Sequence, residues 1–269
     1  MKKYRIFSLI AAVLIVVISC STVVSAADEK VFVTIANGDL VLAYAEVALT
    51  DADGDGALTV NDALIAAHDS AFEGGAEAGY TSENTDYGLS MTKLWGVENG
   101  GSYGYYVNNA SAVSLADPVK SGDHIVAYVY TDTAAYSDTY SFFDLVSSTD
   151  SGLTLTLSAA GYDENWAPIT YPIEGATITV NGKASEYKTD AAGKVTVVLD
   201  GTGTFVISAT SDTVTLVPPV YVVTVEEVEA VVPSAPIETA PETGYETFAL
   251  AAVAVCALAF VVFRRRTHA

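Results

Sequence analysis

Short runs of alternating apolar and polar residues recur along most of this chain and predict a mainly β protein. Residues 31–35 and 40–44 are rich in β-branched and aromatic side chains and flank Asn37-Gly38. An Asn-Gly pair between two such runs favours a tight hairpin, because a type I′ turn needs positive φ at both central residues. Residues 153–157 alternate strictly, and turn residues then recur every 8–12 positions, which is the pattern of a small β-sandwich.

One segment breaks this pattern and predicts a helix over residues 61–72. Ala63, Leu64, Ala67 and Ala71 recur at the three-to-four spacing of a buried helix face, and Thr59 with Asp62 resembles a capping box. The Gly-rich stretch 73–98 is expected to be irregular apart from a strand over 89–95. Further strands are expected at 103–108, 124–131 and 140–146, and then at 176–180, 194–199, 204–209 and 221–225.

The N-terminus carries the features of a secretory leader over residues 1–26. Lys2, Lys3 and Arg5 precede an apolar run, and Val24-Ser25-Ala26 offers small residues for a signal peptidase. An alternative interpretation is a lipobox ending at Cys20, which would then become the lipidated first residue of the mature chain.

The C-terminus, residues 240–269, combines a short motif, an apolar run over 248–263 and a final Arg cluster. The motif is Ala240-Pro241-Glu242-Thr243-Gly244. This tail resembles the LPxTG sorting signal of Gram-positive surface proteins, with Ala240 in place of the usual Leu. The resemblance implies cleavage by sortase after Thr243, attachment to peptidoglycan and display at the cell surface. The alternative is an uncleaved anchor, although sixteen residues at about 1.5 Å each cover about 24 Å of a ~30 Å hydrocarbon core.

The exported part of the chain is strongly acidic. Six of the 12 basic residues and one of the 33 acidic residues lie in the two terminal signals, so residues 27–243 carry a net charge of −26. Such a surface repels polyanions, and we expect no nucleic-acid partner. Both cysteines lie in the terminal signals, which excludes a disulfide or a Cys metal site in the exported part.

Residues 51–62 match the spacing of a calcium-binding EF-hand loop. Six positions of the loop provide the expected ligands, and one of them, Ala57, does so through its backbone carbonyl. Gly56 stands where the chain must turn sharply. Three acids at i, i+2 and i+4 allow hard oxygen atoms to converge on one Ca²⁺ ion. Position twelve is Asp, as in dockerin loops, and a second loop is missing, so the sequence favours a single stabilising calcium clip. The ligands are Asp51, Asp53, Asp55, Ala57, Thr59 and Asp62.

Two further resemblances suggest a domain arrangement. Gly104-Tyr105-Tyr106-Val107-Asn108 and the later Gly122-Asp123-His124-Ile125 turn resemble the DUF4430 domain, related to the β-grasp C-terminal domain of transcobalamin. This implies an α+β unit with one helix over residues 27–148, and some relatives bind corrinoids. Residues 149–226 are similar to bacterial Ig-like modules, and the Pro-bearing acidic segment 227–239 has the composition of a stalk.

These observations predict an extracellular binding or adhesion protein rather than an enzyme. Exposed aromatic rings of the first domain would give a ligand face for a corrinoid or a glycan, whereas the alternative is that they fill the sheet core. A glycosidase remains the catalytic alternative, and both His68 and His124 are expected to be structural surface residues. The proposed face consists of Trp95, Tyr105, Tyr106, Asn108, Tyr128 and Tyr130.

Overall fold

The structure, a computed structural model, describes residues 29–149 and 152–226. The leader, the stalk, the sorting motif and the apolar run 248–263 lie outside these residues, as does Cys20. Within the two described ranges, no helix combines the length and the apolar character needed to cross a bilayer.

The first unit is a mixed sheet with a helix across one face. Its elements are β1 (Lys30–Ala36), β2 (Leu40–Ala48), α1 (Val60–Ala71), α2 (Gly75–Gly79), β3 (Thr81–Thr85), β4 (Gly88–Lys93), β5 (Tyr103–Val107), β6 (Ala110–Ser111) and β7 (His124–Val129). The main sheet has the order β2-β1-β7-β5-β6, and β1 and β7 run parallel at its centre. This order, with a helix packed across the sheet, is the β-grasp arrangement that was expected.

Both faces of the central strand β1 are covered. Val31, Val33 and Ile35 pack with Leu64 of α1 in the first core, whereas Ala36 packs on the opposite face against the second unit. A central parallel pair buried on both faces is the usual environment for such strands.

The helix α1 begins where the sequence predicted it, and for the predicted reason. Thr59 Oγ1 accepts a hydrogen bond from the Asp62 N–H, while Asp62 Oδ2 accepts one from the Thr59 N–H, so the capping box is confirmed. The stretch after it is more regular than expected, since residues 73–98 contain the short helix α2 and the β3–β4 hairpin. The expectation of a single helix was therefore wrong, because the first unit also contains the five-residue helix α2.

The second unit is a sandwich of two sheets. Its strands are β8 (Thr139–Thr149), β9 (Gly152–Tyr162), β10 (Pro168–Pro172), β11 (Thr177–Val180), β12 (Lys183–Lys188), β13 (Lys194–Val197), β14 (Gly203–Thr210), β15 (Leu216–Val217) and β16 (Tyr221–Val225). One sheet runs β10-β9-β8-β15, with β13 also paired to β9, and the other runs β12-β11-β14-β16. Leu153, Leu155 and Leu157 of β9 face Ile178 and Ile207 of the second sheet in one core. The predicted fold class, mainly β with a β-sandwich, is confirmed.

The strand predicted over residues 140–146 exists but belongs to the second unit. It lies within β8, which pairs along its length with β9 and not with the first sheet. The expected division after residue 148 therefore falls inside the β8–β9 hairpin, and the sheets instead divide between Val129 and Thr139. Alternation identifies a strand, but it does not identify the strand with which it pairs.

Candidate functional site

The acidic loop, residues 51–62, brings three carboxylates together. Asp51, Asp53 and Asp55 are exposed, and their ligand oxygens lie within 4.8 Å of one another. Gly56 has a φ of +88°, the left-handed turn that the sixth loop position requires. The arrangement of these three side chains suits a hard cation that prefers several oxygen ligands.

Hydrogen bonds within the loop already order these carboxylates. Asp51 Oδ1 accepts from the Gly54 N–H at 2.8 Å, and Asp51 Oδ2 accepts from the Gly56 N–H at 3.0 Å. Asn61 in the first turn of α1 donates its side-chain amide to Asp53 Oδ2 at 2.9 Å. The loop is thus tied to the helix by its own side chains.

Two of the expected ligands are engaged elsewhere. The Asp62 side chain is fully buried, and its Oδ1 accepts from the Ala52 N–H while its Oδ2 accepts from the N–H and hydroxyl of Thr59. Thr59 is 2 % exposed and donates its hydroxyl to Asp62 at 2.7 Å. The structure therefore groups three of the predicted side-chain ligands and uses the other two as the helix cap.

The six residues of the expected ligand face do not form one surface. Tyr105 and Tyr106 are neighbours on β5, so their side chains point to opposite faces of the sheet: Tyr105 packs on the first core, and Tyr106 faces the second unit. Trp95 packs on His68 and Phe72, with ring centroids 5.1 Å from each. Asn108 donates to Asp123 and accepts from the His124 N–H, which fixes a strand end.

The two remaining members, Tyr128 and Tyr130, join an aromatic cluster between the units. Tyr128 is only 2 % exposed, and its hydroxyl donates to that of Tyr130 at 3.0 Å. Tyr106 stacks on Tyr140 of β8 with centroids 3.5 Å apart and an interplanar angle of 3°. Burial raises the pKa of Tyr106 to about 12 and also raises those of Tyr128 and Tyr140, so these hydroxyls stay protonated at neutral pH. This cluster fixes the two units against each other.

Beside this cluster, an open cleft of about 1260 Å³ lies between the units. One wall is the outer face of β1, β2 and β7, which presents Thr34, Tyr44 and His124, and the other wall is built by β8 and β16, with Phe142 and Val222. The β16 strand is the edge of its sheet, and it contacts β2 across the cleft.

Tyr44 is held in this cleft by an unusual backbone conformation. It has a φ of +48° inside β2, where the β1–β2 register shifts, and its N–H donates to Thr34 Oγ1 at 3.1 Å. Its ring stacks on Phe32 at 4.4 Å and 12°, and meets the edge of His124 at 4.7 Å. A bulky residue at positive φ costs of order 1–3 kcal/mol, and such strain clusters at functional sites.

His68 is buried, so the expectation of a surface residue was wrong for this histidine, whereas His124 is half-buried in the cleft wall. His68 is fully buried in α1: Nδ1 lies 2.7 Å from the Leu64 carbonyl, and Nε2 accepts from the Trp95 N–H, which makes it a neutral structural imidazole. His124 lies under Tyr44, with Nε2 2.8 Å from Thr34 Oγ1. Burial lowers the pKa of both rings, that of His124 to about 4.

Lowering the pH from 7 to 5 is therefore expected to cost the protein about 2 kcal/mol of stability through His124 alone. The unfolded chain takes up this proton near pH 6.5, whereas the folded pKa is about 4, so the stabilisation is complete above 6.5 and is lost as the pH falls. Urea unfolding of wild type and His124→Gln at both pH values measures this difference. Equal pH dependence of the two proteins would contradict it.

Sequence reasoning missed the cleft, since none of the six residues of the expected ligand face lines it. The outward position of Thr34 and His124 follows from strand alternation, but the cleft depends on how the two units meet. No protein-family model, curated protein or solved structure matches this chain.

Proposed function

We propose that this chain is an extracellular, cell-wall-anchored binding protein that holds its ligand in the cleft between its two units and performs no catalysis. The observation that supports this most is the cleft itself. Its volume of about 1260 Å³ exceeds the ~300–1,000 Å³ of ordinary small-molecule sites, and a backbone-strained tyrosine stands in its wall.

A thermal-shift screen of extracellular metabolites, peptides and glycans tests this role. A ligand that binds in the cleft should raise the melting temperature of wild type, and Val146→Trp should reduce that rise because residue 146 lines the cleft and is 51 % exposed. Val113→Trp is the matched control, since Val113 is 84 % exposed and lies outside the cleft lining. A set of hits unaffected by the change at 146 would contradict the proposal.

Anchoring is supported by the sorting-type motif and by the run of apolar residues and arginines that follows it. Thr243→Ala should move most of the protein from the wall fraction to the membrane or the medium, because sortase joins the threonine to peptidoglycan. Fractionation followed by immunoblotting measures this. Glu242→Ala, at the variable position of the motif, should leave the wall fraction unchanged, and an unchanged wall fraction in Thr243→Ala would exclude this anchor.

We also propose that the acidic loop holds Ca²⁺ through Asp51, Asp53 and Asp55, with the Ala57 carbonyl as a further ligand. The convergence of the three carboxylates supports this, and the ion would clip the loop to α1. EDTA should lower the melting temperature of the exported chain by several degrees, and Asp51→Ala should abolish this response. Asp39→Ala, in the Asn37-Gly38 turn, should keep it. A melting curve that chelator leaves unchanged in wild type would contradict the calcium site.

A further inference from the structure

We propose that the ligand of the interunit cleft is a neutral oligosaccharide. This inference rests on the proposed binding function and names the chemical class that the cleft recognises. It is carried by three properties of the cleft lining: its charge, its hydrogen-bonding groups and the placement of one aromatic ring.

The charge of the lining disfavours anions. Among the residues that line the cleft, the only charged side chains are Glu46 and Glu226, and both are acidic. Lys30 forms a 2.7 Å ion pair with Glu46, so this cation is already paired. With a net charge of −26 on the exported chain, a phosphorylated, sulfated or carboxylated ligand would meet repulsion and no fixed positive partner.

Apart from the carboxylates of Glu46 and Glu226, the hydrogen-bonding side chains in the lining are neutral. Asn109 accepts from the Tyr140 hydroxyl through its Oδ1, and within the described residues its amide N–H₂ group has no protein partner. The Tyr44 hydroxyl likewise has no hydrogen-bond partner there, and the ring is only half-buried. Amide and hydroxyl groups at the edge of a site match the hydroxyls of a sugar without requiring a charge.

Tyr44 also supplies a flat apolar surface. One face of its ring rests on Phe32, and its strained backbone fixes this position, so the ring does not need to be ordered when a ligand arrives. A pyranose ring has an apolar C–H face and polar edges, which complements an aromatic ring surrounded by neutral polar groups. The cleft volume of about 1260 Å³ exceeds the ~300–1,000 Å³ of ordinary small-molecule sites, which favours an oligomer over a single sugar.

Isothermal titration of the full exported chain against a panel of neutral tetrasaccharides tests this class. The panel comprises cellotetraose, maltotetraose, mannotetraose and N-acetylchitotetraose, each with a sulfated form of the same backbone. At least one neutral sugar should bind, its sulfated form should bind at least about tenfold more weakly, and Tyr44→Ala should weaken binding by about tenfold or more. Tyr87→Ala is the matched control, since Tyr87 is 90 % exposed and lies outside the cleft.

Val146→Trp keeps the test valid if Tyr44→Ala does not fold, because position 146 is exposed at the cleft and a larger side chain there should obstruct the ligand. The absence of binding by every neutral sugar, equal binding of the sulfated forms, or binding that neither change weakens would overturn the oligosaccharide assignment. If a non-saccharide from the broader screen binds and Val146→Trp weakens it, the sugar class is wrong and the binding function stands. If cleft changes affect no ligand at all, both are wrong.

Discussion

Replacing Asp62 by alanine is expected to lower the free energy of unfolding by about 3 kcal/mol. The side chain is fully buried and accepts hydrogen bonds from the Ala52 N–H at 2.8 Å, the Thr59 N–H at 2.9 Å and the Thr59 hydroxyl at 2.7 Å. The substitution removes the helix cap and leaves buried donors without an acceptor, and each of these effects costs about 1–2 kcal/mol. Chemical denaturation followed by circular dichroism measures the loss.

Measuring Asp62→Ala both in calcium and in chelator separates the two roles of this residue. A helix cap predicts a similar loss in both solutions, whereas a calcium ligand predicts that the loss appears only when the ion is present. Asp69→Ala is the control on the same helix, since its exposed carboxylate accepts a single backbone hydrogen bond and should cost less than about 1 kcal/mol. A similar cost for both substitutions would contradict the capping account.

Replacing Gly104 by alanine is expected to destabilise the protein by about 3 kcal/mol. Gly104 lies directly opposite Tyr128 across the β5–β7 pair, and an added Cβ would overlap the Tyr128 ring. Tyr128 cannot swing outward, because it is 2 % exposed and packed among the other rings between the units. Forcing extra volume into such a packed site costs about 1–3 kcal/mol, and here the displaced ring also holds the units together.

A double-mutant cycle tests the cause of this loss. In a Tyr128→Ala background the ring is absent, so adding Gly104→Ala should cost less than about 1 kcal/mol. Thermal or urea unfolding of the four proteins gives the coupling energy between the two positions. An equal cost of Gly104→Ala in both backgrounds would show that the backbone, and not the aromatic ring, requires glycine.

Local signals in the sequence predicted the individual elements well. The hairpin at Asn37-Gly38 and the capping box at Thr59 both form, although only Gly38 of the turn has a positive φ, so the expected type I′ geometry was wrong. These features depend on a few neighbouring residues, and their physical requirements can be read directly. The membership of β8 could not be read in this way, because strand pairing is decided by residues far apart in the chain.

The candidate sites show the same limit. The spacing in the acidic loop correctly predicted that Asp51, Asp53 and Asp55 lie together. It also assigned Asp62 two roles, as helix cap and as the twelfth calcium ligand, and in the structure the buried Asp62 side chain caps the helix. The aromatic residues were correctly noticed but placed on one face, although alternation along β5 already separates Tyr105 from Tyr106. No sequence pattern indicated the strained backbone of Tyr44, since its positive φ depends on the register shift in the β1–β2 pair.

The parallel pairing of β1 with β7 has a consequence for the order in which the chain can assemble. Phe32 faces His124 across this pair, so the first strand to leave the ribosome completes its hydrogen bonds only after roughly ninety further residues have been synthesised. Until then the β1–β2 hairpin exposes the unpaired backbone edge of β1, which is prone to aggregation and lies in the middle of the complete sheet. Contacts this distant slow folding, so a chaperone or a kinetic delay before β7 arrives would matter more here than in a protein built from local hairpins.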